Sequence, residues 1–224
     1  MIERIQVIGA GRVGSAISAR LTECGLSVDE PNPELVLVCV PDRAIADVAR
    51  ELPRGPWVGH VSGATPLHAL DPHVLRFGLH PLQTFTRRRG PDQLDGAHAA
   101  VTGESEQALD VGRWLARTLG LNPFVLEDAH RGTYHAGAAI ASNYLVTLRR
   151  AAGSLLEAAG APPEALDPLM RRTIENDFEL TGPIERGDLE TIERHLDAIR
   201  SVHPELEEMY RVLADLTVRQ LQHA

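Results

Sequence analysis

The sequence contains no lysine, so all 22 of its basic residues are arginine. Without a lysine amine, the chain cannot form a Schiff base with a carbonyl substrate, and no lysine can act as its general acid. Acidic residues outnumber basic ones by 31 to 22, which gives a formal net charge of −9. Nucleic acids and anionic membranes attract clustered positive charge, so this balance argues against both as partners.

Cysteines are scarce and long apolar runs are missing. The two cysteines, Cys24 and Cys39, have no metal-type spacing and cannot form a disulfide framework. Cys39 lies in the apolar run LVLVCV, where we expect a buried thiol. No apolar run approaches the roughly 18 residues that span a bilayer, and no charged leader precedes an apolar segment at the N-terminus. We therefore expect a cytoplasmic protein without a metal site.

The pattern of apolar residues predicts an α/β domain over 1–127 and an all-helical domain over 128–224. The first part opens with the strand RIQVIG, the helix RVGSAISARLTEC and a strand stub, LSV. Five more strand-like segments follow, separated by two helices, the first of them capped by Asp42: LVLVCVP, WVGHVSG, LRFGLHP, HAAVTG and NPFVLE. The second part has no strand pattern, and its breaks predict helices near 129–159, 163–179, 188–200 and 204–222.

The stretch VIGAGRVG fits the G-x-G-x-x-G pattern of a dinucleotide-binding loop. It follows a predicted strand and opens a predicted helix, which is the context that supports this interpretation. Gly9 would make the tight turn, Gly11 would let a pyrophosphate approach the backbone, and Gly14 would let the helix pack closely on the strand. The phosphates would face the helix N-terminus. A tight turn that binds no ligand is the alternative.

The segment after this loop is too short for a complete dinucleotide-binding fold. Leu35 opens the next apolar run only ten positions after Gly25, where a second strand, a helix and a third strand are expected. The strand stub is followed by an acidic pair, beginning at Asp29, and by PNP, which cannot continue a central strand. Asp29 is thus left at the position that normally contacts the adenosine ribose, and its charge would repel a 2′-phosphate unless Arg12 or Arg43 reaches it.

We therefore expect NADP or NAD to be weakly held, with the preference open. The expected cofactor-binding residues are Gly9, Gly11, Arg12, Val13, Gly14, Asp29 and Arg43.

Polar residues follow two predicted strands at the sheet edge where open α/β folds bind ligands. WVGHVSGATP places His60 and Ser62 at one strand end, and LRFGLHPLQTF places His80 and Gln83 at another. Turn chemistry explains either segment alone. Two such segments at one edge favour a site.

A further set of polar residues lies on the first predicted helix of the second domain, in HRGTYHAGAAIASNYLV. At about 100° per residue, Ser142 falls about 20° from His135, Arg131 about 40° away on the same side, and Asn143 about 80° away on the other. Small residues separate them, so a ligand or another helix could approach closely. Tight helix packing is the alternative to a binding site.

Two further segments contain arginines that could bind a ligand or remain solvated. Arg186, in TGPIERGD, could bind a substrate carboxylate or remain a solvated charge, and Asp188 beside it can cap the next helix. The run of three arginines at 87–89 is expected to be a solvated loop.

Five stretches between Val7 and Leu196 match a known family: VIGAGRVG, HVSGA, GLHPLQTF, YHAGAAIASNYL and LTGPIERGDLETIERHL. The chain resembles bacterial Rossmann-like oxidoreductases related to 6-phosphogluconate dehydrogenase, which carry a helical C-terminal domain of unknown function. The resemblance implies a Rossmann domain followed by a helical domain that commonly dimerises. Some of these relatives are thought to be ketopantoate reductases. This chain departs from the family in its shortened second strand, and His135 lies on the helix where distant dehydrogenases have a lysine.

The sequence thus predicts an α/β fold with a Rossmann-like parallel sheet, a shortened second strand and an all-α C-terminal domain. The expected function is NAD(P)-dependent reduction of a small, ketopantoate-like carbonyl acid by an obligate homodimer. His135 would give a proton to the alkoxide, because an imidazole titrates near neutral pH. The other expected site residues are Asn143 and Ser142 for catalysis, and Ser62, His80, His60, Arg131 and Arg186 for substrate binding. The alternative is a degenerate Rossmann dimer that acts as a sensor or scaffold.

Overall fold

The computed structural model describes residues 2–223 of the chain. The chain divides into two compact units between Ser142 and Asn143. The last strand ends at Val125 and only helices follow it, and the first compact unit also includes the helix after that strand. The domain boundary near residue 127 stays a prediction.

The first unit contains a seven-stranded sheet in the order β2-β1-β3-β4-β5-β6-β7. Its strands are β1 (Arg4–Ile8), β2 (Ser27–Val28), β3 (Leu35–Val38), β4 (Trp57–His60), β5 (Arg76–Pro81), β6 (His98–Gly103) and β7 (Asn122–Val125). The expected Rossmann-like sheet with a shortened second strand is confirmed, because β2 has two residues and lies at the sheet edge.

One pair of strands is antiparallel, so the sheet is not parallel throughout as expected. All neighbours pair in parallel except β5 and β6, where Leu79 lies opposite Val101. A parallel connection needs a long crossover, usually a helix. The chain between β5 and β6 contains only a 3-10 turn, Pro91–Leu94, and therefore returns in the opposite direction.

Four helices belong to this unit: α1 (Arg12–Glu23), α2 (Ile45–Glu51), α3 (Glu106–Thr118) and α4 (Arg131–Ala139). Strand β3 is buried along its whole length, as its unbroken apolar run predicts. Ile17 and Leu21 of α1 and Leu115 of α3 are buried in the core with side chains of the sheet. Cys39 is buried as expected, and burial raises the pKa of its thiol to about 12.

The capping role predicted for Asp42 is wrong. Asp42 starts a 3-10 turn, Asp42–Ala44, and makes no side-chain cap, while α2 begins only at Ile45. The carbonyl of Pro41 accepts the Ala44 N–H at 2.8 Å. A backbone carbonyl therefore closes the turn, and the carboxylate is not needed.

The second unit is helical, with α5 (Leu145–Ala158), α6 (Leu166–Glu175), α7 (Leu189–Val202) and α8 (Glu207–His223). The four helical regions are confirmed, although α6 ends before the expected residue 179. Asp177 and Phe178 have φ values of 53° and 58°, which a helix cannot accommodate. Asp188 caps α7 as expected, because its carboxylate accepts the Thr191 N–H at 3.1 Å.

Large apolar side chains of the second unit are exposed. Within the described residues of this unit, Leu196 and Ile199 are its only buried large apolar side chains, whereas Leu189 is 72% exposed and Phe178 is 70% exposed. None of the helices described is both long enough and apolar enough to cross a membrane.

Candidate functional site

The glycine loop links β1 to α1 with the geometry that its sequence predicts. Gly9 has φ 114°, and a Cβ atom there would lie 2.5 Å from the carbonyl oxygen of Cys39. A Cβ atom at Gly14 would collide with the Gly9 carbonyl oxygen, so the helix packs directly on the turn. Gly11 differs, because nothing lies within 4 Å of a Cβ atom placed there. The open backbone at Gly11 and Arg12 is therefore the part of the loop that a ligand could approach.

Asp29 ends the shortened strand β2 with its own side chain. Its N–H donates to the Ile5 carbonyl at 2.9 Å, and its Oδ1 accepts the Val7 N–H at 3.0 Å. In a continued parallel ladder the Val7 N–H would bond to the carbonyl of residue 29. Since Asp29 has φ 61° and turns away from the strand, the carboxylate takes the place of that carbonyl. The group expected to contact a ribose is thus already a hydrogen-bond acceptor within the sheet.

A cavity of about 400 Å³ lies beside the glycine loop. Gly11, Arg12 and Ser15 line one side, and the loop from Thr86 to Pro91 lines the other. Arg87 and Arg89 are exposed, as the solvated-loop interpretation requires, but both also line this cavity. Arg43 is exposed on the 3-10 turn after β3.

His60 and Ser62 form the end of β4 and the turn that follows it. His60 is fully buried, and its Nδ1 accepts the Ser62 N–H at 3.2 Å. The Ser62 Oγ accepts the Thr65 N–H at 3.0 Å and lies 2.9 Å from the Thr65 hydroxyl. Burial, with smaller contributions from Arg131 and His80, lowers the pKa of His60 to about 3. Both expected substrate residues are therefore used to build the turn.

Arg131 joins α4 to this turn from a buried position. Its guanidinium is 2% exposed, donates from Nη1 to the Ser62 carbonyl at 2.8 Å and donates from Nε to Asp128 at 2.9 Å. The same carboxylate accepts the Leu67 N–H at 3.0 Å. Burial lowers the pKa of Arg131 below its ordinary value, and Asp128 opposes that shift. The guanidinium expected to bind a substrate carboxylate instead holds α4 against the strand ends.

Three rings meet above Gly63. His80 Nδ1 lies 2.8 Å from the Tyr134 hydroxyl, and the rings of His80 and His135 are 5.9 Å apart, edge to face. A Cβ atom at Gly63 would lie 2.6 Å from Cδ2 of His135 and 3.0 Å from Nε2 of His80. The turn after β4 therefore needs glycine here to let both imidazoles approach.

The His80–Tyr134 pair is uncharged near neutral pH. Burial, helped by His135 and Arg131, lowers the pKa of His80 to about 4. Burial raises the pKa of Tyr134 to about 12. A neutral imidazole and a neutral phenol share one hydrogen bond, and together they can donate or accept a further hydrogen bond at the strand ends.

The helix that carries Ser142 and Asn143 is not a regular α-helix as expected. Residues Ile140–Tyr144 form a π-helical segment, so steps of about 100° do not hold from His135 to Ser142. Ser142 Oγ donates to the Ala138 carbonyl at 2.8 Å, which is the acceptor that the Ser142 N–H would use in an α-helix.

The structure brings together most of the predicted polar residues of the first unit: His60, Ser62, His80, Arg131 and His135. Asn143 and Arg186 belong to the second unit. The Asn143 carbonyl accepts the Thr147 hydroxyl at 3.3 Å, and the Arg186 N–H donates to the Gly182 carbonyl at 3.3 Å. Their expected roles toward a substrate stay predictions.

Tyr134 and Asp128 were missed by the sequence reasoning. Each is three positions from Arg131, a spacing that places side chains on one helix face. That spacing was the available signal for both.

The family model for a domain of unknown function, DUF2520, matches residues 97–217, which is more than half of the chain. The chain belongs to the DUF2520 family. The matched segment of this DUF2520 protein includes Arg131, Tyr134 and His135, whereas the glycine loop lies before it. A comparison with curated proteins gave no match.

Solved structures share the fold of this DUF2520 protein over nearly the whole chain. BF3122 from Bacteroides fragilis, provisionally named an NADP oxidoreductase, has a TM-score of 0.81 at 21% identity, covering 97% of this chain and 98% of that chain. Protein TM1727 from Thermotoga maritima has a TM-score of 0.75 at 22% identity, with coverages of 96% and 97%. A reductive aminase from Aspergillus terreus, in complex with NADPH and ethyl levulinate, has a TM-score of 0.68 at 16% identity, with coverages of 98% and 95%. At these identities the likeness establishes a Rossmann-like fold with a helical C-terminal part.

Proposed function

We propose that this DUF2520 protein is an NAD(P)-dependent oxidoreductase that reduces a small carbonyl acid, with a ketopantoate-like substrate as the first candidate. The observation that carries the proposal is the meeting of His80, Tyr134 and His135 at the strand ends of a sheet that also bears a dinucleotide-type glycine loop. The names of two similar structures, an NADP oxidoreductase and an NADPH-bound reductive aminase, support the same reaction class.

The residues of the loop fit a nicotinamide dinucleotide. Gly11 is exposed and precedes the N-terminus of α1, where backbone N–H groups can bind phosphate. When bound, the nicotinamide would supply a hydride. Arg12 and Arg43 are the nearby cations proposed to contact a phosphate. Asp29 could contact a ribose only through Oδ2, because its Oδ1 accepts the Val7 N–H.

His135 is our candidate for the proton donor to the substrate oxygen. It is half-buried, so it can meet a ligand, and its ring packs edge to face on His80. The neutral His80–Tyr134 pair would fix the neighbouring imidazole and offer a hydrogen bond to the same oxygen. His60, Ser62 and Arg131 would act as positioning residues, because their polar atoms bond within the protein or are buried.

A scaffold or sensor without catalysis is the second candidate. The two-residue strand β2 and the use of the Asp29 carboxylate by the sheet favour it, since both weaken the adenosine side of a cofactor site. A scaffold, however, does not require two imidazoles and a phenol packed around one glycine.

The test is a reductase assay with a panel of small 2-oxo acids and aldehydes. Turnover is measured as the loss of absorbance of the reduced nicotinamide. We expect turnover of at least one compound, and we expect His135→Ala to lower the rate by about 10²-fold through loss of a general acid.

Gly11→Asp is the matched control for cofactor dependence. Gly11 has φ −73° and open space around it, and Asp is a good N-cap residue, so this variant should fold at least as well as the wild type. Its carboxylate would repel the cofactor phosphates, so its turnover should be lost. Turnover that survives Gly11→Asp unchanged, or a complete lack of turnover in the wild type, would contradict the proposal.

A further inference from the structure

The loop from Thr86 to Pro91 faces the glycine loop across the cavity of about 400 Å³. Three arginines, Arg12, Arg87 and Arg89, line this cavity, and no acidic residue does. In a chain with a net charge of −9, this is a local concentration of positive charge. Arg89 also pairs with Asp92 at 2.9 Å, in a contact that is exposed on both sides.

The arginine loop is held in place by a buried amide. Gln93 is 2% exposed, and its Oε1 accepts the Thr86 N–H at 2.7 Å. Its Nε2 donates to the carbonyls of Arg89 and Gly90, both at 2.9 Å. One side chain therefore fixes both ends of the segment that carries the arginines. A loop fixed in this way loses little conformational freedom when a ligand binds.

A second contact fixes the end of this loop relative to α1. The Arg20 guanidinium, on α1, donates to the Pro91 carbonyl at 3.0 Å and to Asp95 at 2.6 Å. Asp95 raises the pKa of Arg20 further above its ordinary value. The width of the cavity is thus set by protein contacts, with one wall on α1 and the other on the loop.

Phosphate is the chemistry that this cavity fits. Guanidinium groups bind phosphate oxygens through paired N–H donors, and the N-terminal end of α1 adds the favourable end of a helix dipole. The cavity borders Gly11, where the glycine loop would receive a pyrophosphate. Arg87 and Arg89 line the side of the cavity opposite the backbone of the glycine loop.

We propose that Arg87 and Arg89 form the second wall of the cofactor's pyrophosphate site, closing on the diphosphate from the side opposite the glycine loop. The inference rests on the proposed nicotinamide-binding function and extends it. The charge-assisted bonds would add affinity at the diphosphate and would leave the lost contacts to the ribose unreplaced.

The test compares Arg87→Gln, Arg89→Gln and the double variant with Arg88→Gln. Arg88 lies between the two, has the same charge and does not line the cavity, so it controls for loss of net charge. Binding of NADPH, NADH and inorganic pyrophosphate is measured by calorimetry, each at two salt concentrations. We expect the double variant to bind all three roughly 10- to 100-fold more weakly, with a smaller salt dependence, and Arg88→Gln to match the wild type.

Several outcomes would overturn the inference. Equal losses in Arg88→Gln and the double variant would mean a general charge effect. Weaker binding of NADPH alone would mean that the arginines contact a 2′-phosphate. A wild-type protein that does not bind pyrophosphate would contradict a pyrophosphate site at Arg87 and Arg89.

Failure of this inference is distinguishable from failure of the proposed function. Unchanged NADPH binding in the double variant would remove the inference and leave the function standing. Pyrophosphate binding that depends on Arg87 and Arg89, in a protein that binds neither nicotinamide, would support the anion site and contradict the oxidoreductase proposal.

Discussion

Two histidines at the strand ends, His60 buried and His80 partly buried, are held in the neutral form, which makes the stability of the first unit depend on pH. Burial lowers the pKa of His60 to about 3 and of His80 to about 4, from an ordinary value of 6.5. In the unfolded chain both imidazoles take up a proton below about pH 6.5, whereas in the folded chain they do not. Protons therefore favour the unfolded state as the pH falls.

We expect the free energy of unfolding to be nearly constant between about pH 7 and pH 8 and to fall between pH 6 and pH 5. Each histidine contributes a slope of up to about 1.4 kcal/mol per pH unit, and the loss levels off only near the folded pKa values. Urea unfolding followed by tryptophan fluorescence measures this in the first unit alone, because Trp57 and Trp114 are the only two tryptophans. His80→Gln should reduce the slope by about half. A wild-type stability that does not change between pH 6.5 and pH 5 would contradict the burial of neutral imidazoles.

The positions of some site residues could be predicted from the sequence, whereas the contacts of others could not. His60, Ser62 and His80 were predictable because parallel strands end at one sheet edge, and helical spacing pointed to Arg131 and His135. The hydrogen bonds of Gln93 to Thr86 and of Asp128 to Leu67 were not predictable, because each joins segments whose approach depends on the folded loops. The substrate role expected for Arg131 gave way to burial, since no local pattern shows how a guanidinium is surrounded.

Among the elements, β2 is the one whose length bears most on the proposed cofactor site. The strand stops after two residues, and the Asp29 carboxylate closes the ladder by accepting the Val7 N–H. In the proposed cofactor site, the same carboxylate would place a negative charge where a 2′-phosphate would approach. One side chain would thus link the stability of the sheet edge to the choice of cofactor.

Asp29→Asn and Asp29→Ala should separate these two effects. Asparagine keeps an oxygen acceptor for the Val7 N–H and tolerates φ 61°, so we expect a loss of stability below about 0.5 kcal/mol. Alanine loses the hydrogen bond and is strained at this φ, so it should cost about 2 kcal/mol. Both variants remove the charge, and both should therefore bind NADPH more tightly relative to NADH. Thermal unfolding and parallel titrations give the two readouts. Equal stability of the two variants would show that the hydrogen bond contributes nothing.

Most elements were predictable from local patterns, but the cap of α2, the end of α6 and two further features were not. Buried apolar runs located the strands, and capping residues and glycine stops located the helices. The antiparallel pairing of β5 and β6 depends on the short connection between them, which no strand pattern records. The π-helical segment Ile140–Tyr144 was not predictable, because the spacing of residues in a sequence does not show where a helix departs from the α-helical repeat.

For the whole molecule, we propose a homodimer, because the second unit exposes a large apolar surface. The side chains on α8 alone include Val212 at 51% and Leu216 at 48% exposure. A helical unit with so few buried apolar side chains gains stability by covering these faces with a second copy.

Light scattering should therefore give the mass of a dimer at micromolar concentration. Leu216→Glu should shift the protein toward a monomer, because a buried interface does not tolerate an unpaired charge. Val74→Glu, which changes an apolar residue of the first unit that is 89% exposed, is the control and should remain a dimer. A wild-type monomer would contradict the proposed assembly.

Calorimetric titration of the purified wild-type protein with NADPH and with NADH tests the proposed oxidoreductase function most directly. In the proposed site, the glycine loop and the arginine-lined cavity would still bind the pyrophosphate, whereas the shortened strand β2 would give little to the ribose. We predict that the protein purifies without cofactor and binds both nucleotides with similar affinity. That affinity should be about 10- to 100-fold weaker than a complete ribose contact would allow, because one or two hydrogen bonds are lost. Tight binding of one nucleotide alone would contradict the weakened adenosine side, and no binding of either would contradict the oxidoreductase function itself.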